Sequence, residues 1–256
     1  MGVVLRQSWE LFKANAGVAI GAMFVVGFIL AIPLFAPIFG VQAYFLSDVI
    51  STASSGARYG RPPVIVYPSG YFMVQPILGL WAVVLGQIFG PGLTRLNVAI
   101  ARNESPSIGA VFSGFDRVPA SIGWALIVQA PVLLGQMLIA VLALADVSPM
   151  VLQPLLSIVS FVALPVLVLQ AVGFIFVPWF IADRKLGPIA AAKAAWNATS
   201  SNRGETFLLM LALFGINLLG ACACGIGMLV TIPWSMIAIA YAYAYLPQGQ
   251  QATQTY

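Results

Sequence analysis

The side chains able to do chemistry are few, and their types narrow that chemistry quickly. There is no histidine among the 256 residues, which excludes His-containing metal sites, Ser-His-Asp triads and imidazole proton relays. Cys222 and Cys224 are the only cysteines and stand one residue apart. On a helix or a strand that spacing gives a strained disulfide, and two thiolates make an incomplete metal site. They read as small apolar residues at the end of a hydrophobic run. Asp116 beside Arg117, and Asp183 beside Arg184 and Lys185, read as charge clusters at a membrane interface. A serine or aspartyl mechanism needs a nucleophile with its base, or paired carboxylates, at one depth. Neither arrangement is in the sequence, so no enzyme, cofactor or metal is expected. What remains inside the apolar stretches is neutral: Gln87, Gln129, Gln136, Gln170 and Asn217. Gln129 and Gln136 are seven apart and share a helical face, which makes this set the candidate lining of a polar cavity. The commoner use of such amides is a hydrogen bond between helices, worth about 0.6–2 kcal/mol.

The elements that must position these groups follow from composition. Only 7% of the residues are charged and 61% are hydrophobic, against about 25% charged in a soluble domain. That surface cannot cover a water-soluble globule, and it is far too apolar for a disordered chain. The net charge of +4 fits cytoplasmic loops rich in Lys and Arg; no aromatic-interleaved basic stripe points to nucleic acid. Six runs are long enough for about 30 Å of hydrocarbon: 18–39, 73–91, 122–145, 154–181, 207–223 and 228–246. All should be helical, because lipid offers an open backbone no partner. The first follows Arg6 and Lys13 like a signal peptide, but its apolar stretch exceeds an h-region, so it is expected to remain a transmembrane helix.

Orientation follows from the cations. Arg6, Lys13, Arg95, Arg102, Arg117, Arg184, Lys185, Lys193 and Arg203 fall on one side, and Arg58 and Arg61 on the other. Nine against two puts both termini in the cytoplasm. The loop from Ser47 to Phe72 is expected to be external and non-helical. The tail 247–256 has no apolar period and is expected to be disordered.

Each cytoplasmic segment carries the same device. VVLRQSWELFK places Trp9 and Phe12 on one helical face, opposite Arg6, Glu10 and Lys13. SPSIGAVFSGFDR spaces Ile108, Val111, Phe112 and Phe115 at i, i+3, i+4 and i+7, after Ser105 and Pro106. GPIAAAKAAWN repeats the pattern with Ile189, Ala192 and Trp196. The expected architecture is therefore all-α, with six transmembrane helices as three hairpins, each preceded by a cytoplasmic amphipathic in-plane helix. One transmembrane domain, 1–246, would contain three repeats at roughly 1–91, 105–181 and 187–246. Trp9, Phe12, Phe112, Phe115 and Trp196 form its candidate amphipathic interface, with the lipid bilayer, a membrane-protein partner or a second copy against it. Prolines within the runs are expected as tolerated bends, and Gly17 with Gly21 and Gly86 with Gly90 as close-approach pairs.

The stretch GLTRLNVAIARNESPSIGAVFSGFDR, then FIADRKLGPIAAAKAAWNATSSNRGETFLLMLAL and GIGMLVTIPWSMIAIAYAYAYL, resembles a broad group of uncharacterised bacterial multi-pass inner-membrane proteins. It is also similar to the membrane domain fused to some glycerophosphodiester phosphodiesterases. The likeness covers about two-thirds of the chain and rests on a charged turn, an amphipathic segment and a hairpin with a Gly-rich bend. It implies a bacterial inner-membrane location, and it carries over no catalytic residue. The function expected is that of a non-enzymatic scaffold, accessory subunit or envelope-associated factor. The alternative is a permease or channel for a small neutral or lipidic solute.

Overall fold

The computed structural model describes residues 2–58, 68–223 and 225–245; the connector 59–67 and the tail 247–256, read above from composition, lie outside the described residues. Every element among the described residues is helical: α1 Gly2–Arg58, α2 Ser69–Gly86, α3 Gly90–Ala101, a 3₁₀ helix Ile108–Arg117, α4 Val118–Leu144, α5 Pro149–Gly173, α6 Val177–Arg184, α7 Pro188–Ser200, α8 Arg203–Cys222 and α9 Met228–Ala244. Four stretches, Gly2–Ser51, Ser69–Ala101, Ile108–Leu144 and Arg203–Cys222, are long and apolar enough to cross a membrane. Pro149–Val162 and Met228–Ala244 are shorter apolar helices. Large apolar side chains stand on the surface along these helices, among them Phe28, Leu134, Phe161 and Phe214. Lipid, not water, is the solvent that such a surface fits.

Two expected runs are divided. The run 73–91 breaks between Gly86 and Gly90, and the run 154–181 between Gly173 and Val177. Pro91 and Pro178 explain both breaks, since each sits in the first turn of a new helix, where its missing N–H costs nothing and its φ is preset. A left-handed residue follows each helix, Asn103 (φ 58°) two residues after the end of α3 and Lys185 (φ 58°) directly after the end of α6. In α1 the backbone leaves helical geometry at Asn15 (φ −122°, ψ 17°). There Nδ2 donates to the Leu11 carbonyl at 3.0 Å, competing for the acceptor that the helix ladder uses. The bend falls between the amphipathic segment and the apolar run.

The non-helical stretch expected from Ser47 starts later, because α1 continues to Arg58. Its serines stay compatible with the helix: Ser47, Ser51 and Ser54 donate to carbonyls three residues back at 2.7, 2.8 and 2.9 Å.

The second elbow is a 3₁₀ helix, not the expected α-helix. Three residues per turn put Ile108, Val111 and Gly114 on one stripe, of which Val111 and Gly114 are buried and Ile108 is partly exposed at its end, while Phe112 and Phe115 stay exposed. Backbone contact with α3 sets this geometry. A Cβ on Gly92 would overlap the Val111 carbonyl, and one on Gly114 would overlap the Gly92 nitrogen. Of the glycines expected to permit close approach, Gly21 meets the Ile108 side chain, while Gly17 and Gly86 meet no neighbour.

The chain divides into two compact units. The first comprises Met1–Phe28, Gln87–Ala125 and Leu167–Tyr256. Its centre is α3, α6 and α9, which pack through Ile100, Ala101, Ile181, Ala182, Ile237 and Ala238, all essentially inaccessible. The alanines let the helix backbones approach closely. The second unit comprises Ile29–Gly86 and Leu126–Val166, with a core of Phe72, Ile139, Ala143 and Leu152. In it Pro37 cannot donate to the carbonyl one turn back, that of Pro33, and the Trp81 indole N–H does so instead at 2.8 Å.

Candidate functional site

The polar groups of the first unit converge on α3. Arg95 and Arg102 are two turns apart on that helix and lie on one face. Arg95 Nε donates to the Ala182 carbonyl of α6 at 2.8 Å. Its Nη1 reaches the Ser113 carbonyl and lies 2.9 Å from Asp116 Oδ1, while Nη2 donates to Asp116 Oδ2 at 3.1 Å. Arg117 Nε donates to the same carboxylate at 3.0 Å, and its Nη1 donates to the Lys185 carbonyl at 3.0 Å. Arg102 meets Asp183 as a fork, Nη1 to Oδ1 at 2.8 Å and Nη2 to Oδ2 at 2.7 Å. The Tyr243 hydroxyl of α9 donates to Asp183 Oδ2 at 2.9 Å. Donating to the Asp183 carboxylate raises the basicity of Arg102 further. Such two-pronged pairs are stronger than a single charged contact and specify orientation.

This seam joins α3, the 3₁₀ helix, α6 and α9. Chemically it is a clamp, because both carboxylates already accept from guanidinium groups. Asp183 pairs with Arg102, 81 residues away in the chain. Tyr243 is buried. One signal in the chain pointed to the pairing: the contexts Ile100-Ala101-Arg102 and Ile181-Ala182-Asp183 match, with opposite charge at the same place.

The amphipathic residues divide between two environments. Phe12 is buried, and Trp9 stacks on it at 5.4 Å and meets Trp234 edge-on at 4.8 Å. The Trp234 indole donates to Ser8 Oγ at 3.1 Å, so the first elbow is tied to α9. Phe112 and Phe115 pack on Phe89 at 5.7 and 5.6 Å with their outer sides exposed. Trp196 lies 5.4 Å from Phe174, and the Arg203 guanidinium sits 4.0 Å over its ring.

The amides also fall in different places. Asn217 Nδ2 donates to the Leu213 carbonyl and to Ser235 Oγ, both at 2.8 Å, bridging α8 to α9. Gln87 is half-buried at the break between α2 and α3. Gln129 and Gln136 belong to the second unit, and the Gln170 side chain lies outside the described residues. Gln136 Oε1 is buried without a partner, 3.2 Å from where a Cβ on Gly79 would stand. One turn from Gly79 on the same helix, Gln75 Nε2 is likewise buried and unpartnered. Gln75 was missed in the sequence because it precedes Pro76 near the start of a run. Among the described residues no three His, Cys, Asp or Glu side chains are grouped to hold a metal.

Against known proteins, no family model, no curated protein and no solved structure matches this chain.

Proposed function

We propose that the chain is a non-enzymatic, multi-pass protein of the bacterial inner membrane, with both termini cytoplasmic. It acts as a scaffold, accessory subunit or envelope-associated factor through its elbow segments. The observation that carries this reading is the way two of the elbows are packed. Each turns small residues inward, Val111 and Gly114 in the 3₁₀ helix, and Ala191, Ala194, Ala195 and Ala198 in α7. Each leaves large apolar residues exposed, Phe112 and Phe115 in one, and Ile189 and Trp196 in the other. An exposed aromatic face beside Arg117, Lys193 and Arg203 suits a membrane-protein partner or a second copy at the headgroup boundary, and cross-linking separates that role from a face that only rests in lipid.

The six-span, three-repeat layout belongs to the same proposal. It is supported by the matching starts of α3 and α6 on Pro91 and Pro178. The orientation is supported by the fact that all nine inward-assigned cations belong to the first unit, while Arg58, assigned to the other side, belongs to the second.

Photoreactive side chains placed at Phe112, Ile189 and Phe28 in native membranes test the contact surface. Discrete protein adducts are expected at Phe112 and Ile189 and lipid adducts at Phe28. Lipid adducts at all three would remove the docking role.

The permease reading for a small neutral or lipidic solute draws support from one feature. Gln75 Nε2 and Gln136 Oε1 present an unused donor and an unused acceptor on facing helices of the second unit. Such a pair is complementary to a hydroxyl or amide group.

A further inference from the structure

A groove of about 180 Å³ in the first unit lies between the start of α8 and the end of α9. Its walls include Phe176, Asn202, Glu205, Thr206, Tyr241 and Tyr245. The space admits several waters and is open on one side, which gives room for a small polar headgroup.

Its chemistry is specific. Glu205 is exposed, in the first turn of α8. Among the described residues no cation and no hydrogen-bond donor is placed on its carboxylate, whereas Glu10, Asp116 and Asp183 of the same unit each have a cation partner. Arg203, two residues earlier, is drawn over the Trp196 ring instead. Tyr241 and Tyr245 are one helical turn apart, with ring centres 4.4 Å apart and planes inclined by 35°. A free carboxylate beside two electron-rich rings is the recognition chemistry of an ammonium group, which binds the carboxylate by charge and the ring faces by their quadrupole. The groove sits where the apolar helix α8 begins and the apolar helix α9 ends, the depth at which a bilayer places its headgroups.

We infer that this groove binds the ammonium headgroup of a zwitterionic phospholipid, with Glu205 as its counter-charge and Tyr241 and Tyr245 as its aromatic wall. The inference needs the chain to be in a membrane, but it does not need the docking role.

The test uses the full chain in nanodiscs of equal parts phosphatidylethanolamine and phosphatidylglycerol, released into native mass spectrometry. Retained phosphatidylethanolamine is expected to exceed phosphatidylglycerol by about five- to tenfold. Glu205→Gln and Tyr245→Leu should each abolish that preference, and Tyr245→Phe, which keeps the ring, should preserve it. Circular dichroism verifies that each variant is folded, and if Tyr245→Leu is not, Glu205→Gln alone decides. Equal retention of the two lipids, or an unchanged preference in Glu205→Gln, would overturn the site. Displacement by free ethanolamine at lipid concentration would overturn a lipid occupant. A chain that enters no nanodisc would instead undo the membrane reading.

Discussion

Arg102 commits both terminal nitrogens of its guanidinium to Asp183, and Tyr243 adds a third donor to the same carboxylate. With Asp183 only 17% exposed, each of these donors would be left short if the carboxylate were removed. Asp183→Asn is expected to lower stability by about 1–3 kcal/mol, seen as a lower midpoint of thermal unfolding in one detergent. Arg102→Lys keeps the charge but not the fork and should cost less than Arg102→Leu. Equal losses in the two Arg102 variants would mean that the geometry of the pair adds nothing. At this scale the sequence was only partly legible. The types of the charged residues and their place at the ends of apolar runs could be read directly. Their partners could not, because adjacency favours Asp183 with Arg184 while the fold brings in Arg102 from α3. The amides show the same limit: Asn217 reads as an interhelical hydrogen bonder and is one, yet nothing in the chain marks Gln75 as the neighbour of a turn that faces Gln136.

At the scale of elements, prolines decided where helices start and which carbonyls they release. Pro91 and Pro178 look like interruptions of two long runs, and each begins a new helix. Pro37 shows the other consequence, since the carbonyl it leaves free on Pro33 is taken up by Trp81. In a lipid environment an unsatisfied carbonyl is costly, so Trp81→Phe should destabilise by about 1–3 kcal/mol. Pro37→Ala restores the missing N–H and should make the same Trp81→Phe change nearly neutral. Purified single and double variants compared by chemical unfolding give the coupling between the two sites; additive losses would show that the indole does not serve that carbonyl. The 3₁₀ elbow was misread for a definite reason. The spacing 108, 111, 112, 115 fits an α-helix, and the competing pattern 111, 114 contains a glycine, which carries no hydrophobic signal. Its burial comes from backbone contact with Gly92, a cause that periodicity does not register.

For the whole molecule, the share of apolar residues and the length of the apolar runs were enough to give an all-helical chain suited to lipid. Its division into two units was not legible, because each draws on segments far apart in sequence. The division nevertheless sorts the charges in the way the orientation argument needs: a cation-bearing unit held by the arginine–aspartate seam, and a second unit whose core is Phe72, Ile139, Ala143 and Leu152. The central claim is that this chain crosses the bilayer with its cation-bearing segments in the cytoplasm. Single cysteines at Lys13, Ser54 and Lys193, in a chain with Cys222 and Cys224 replaced by alanine, test it with a membrane-impermeant maleimide applied to right-side-out and inverted vesicles. Labelling of Lys13→Cys and Lys193→Cys only in inverted vesicles, and of Ser54→Cys only in right-side-out ones, is the predicted result. Labelling of Ser54→Cys from the same side as Lys13→Cys would contradict it.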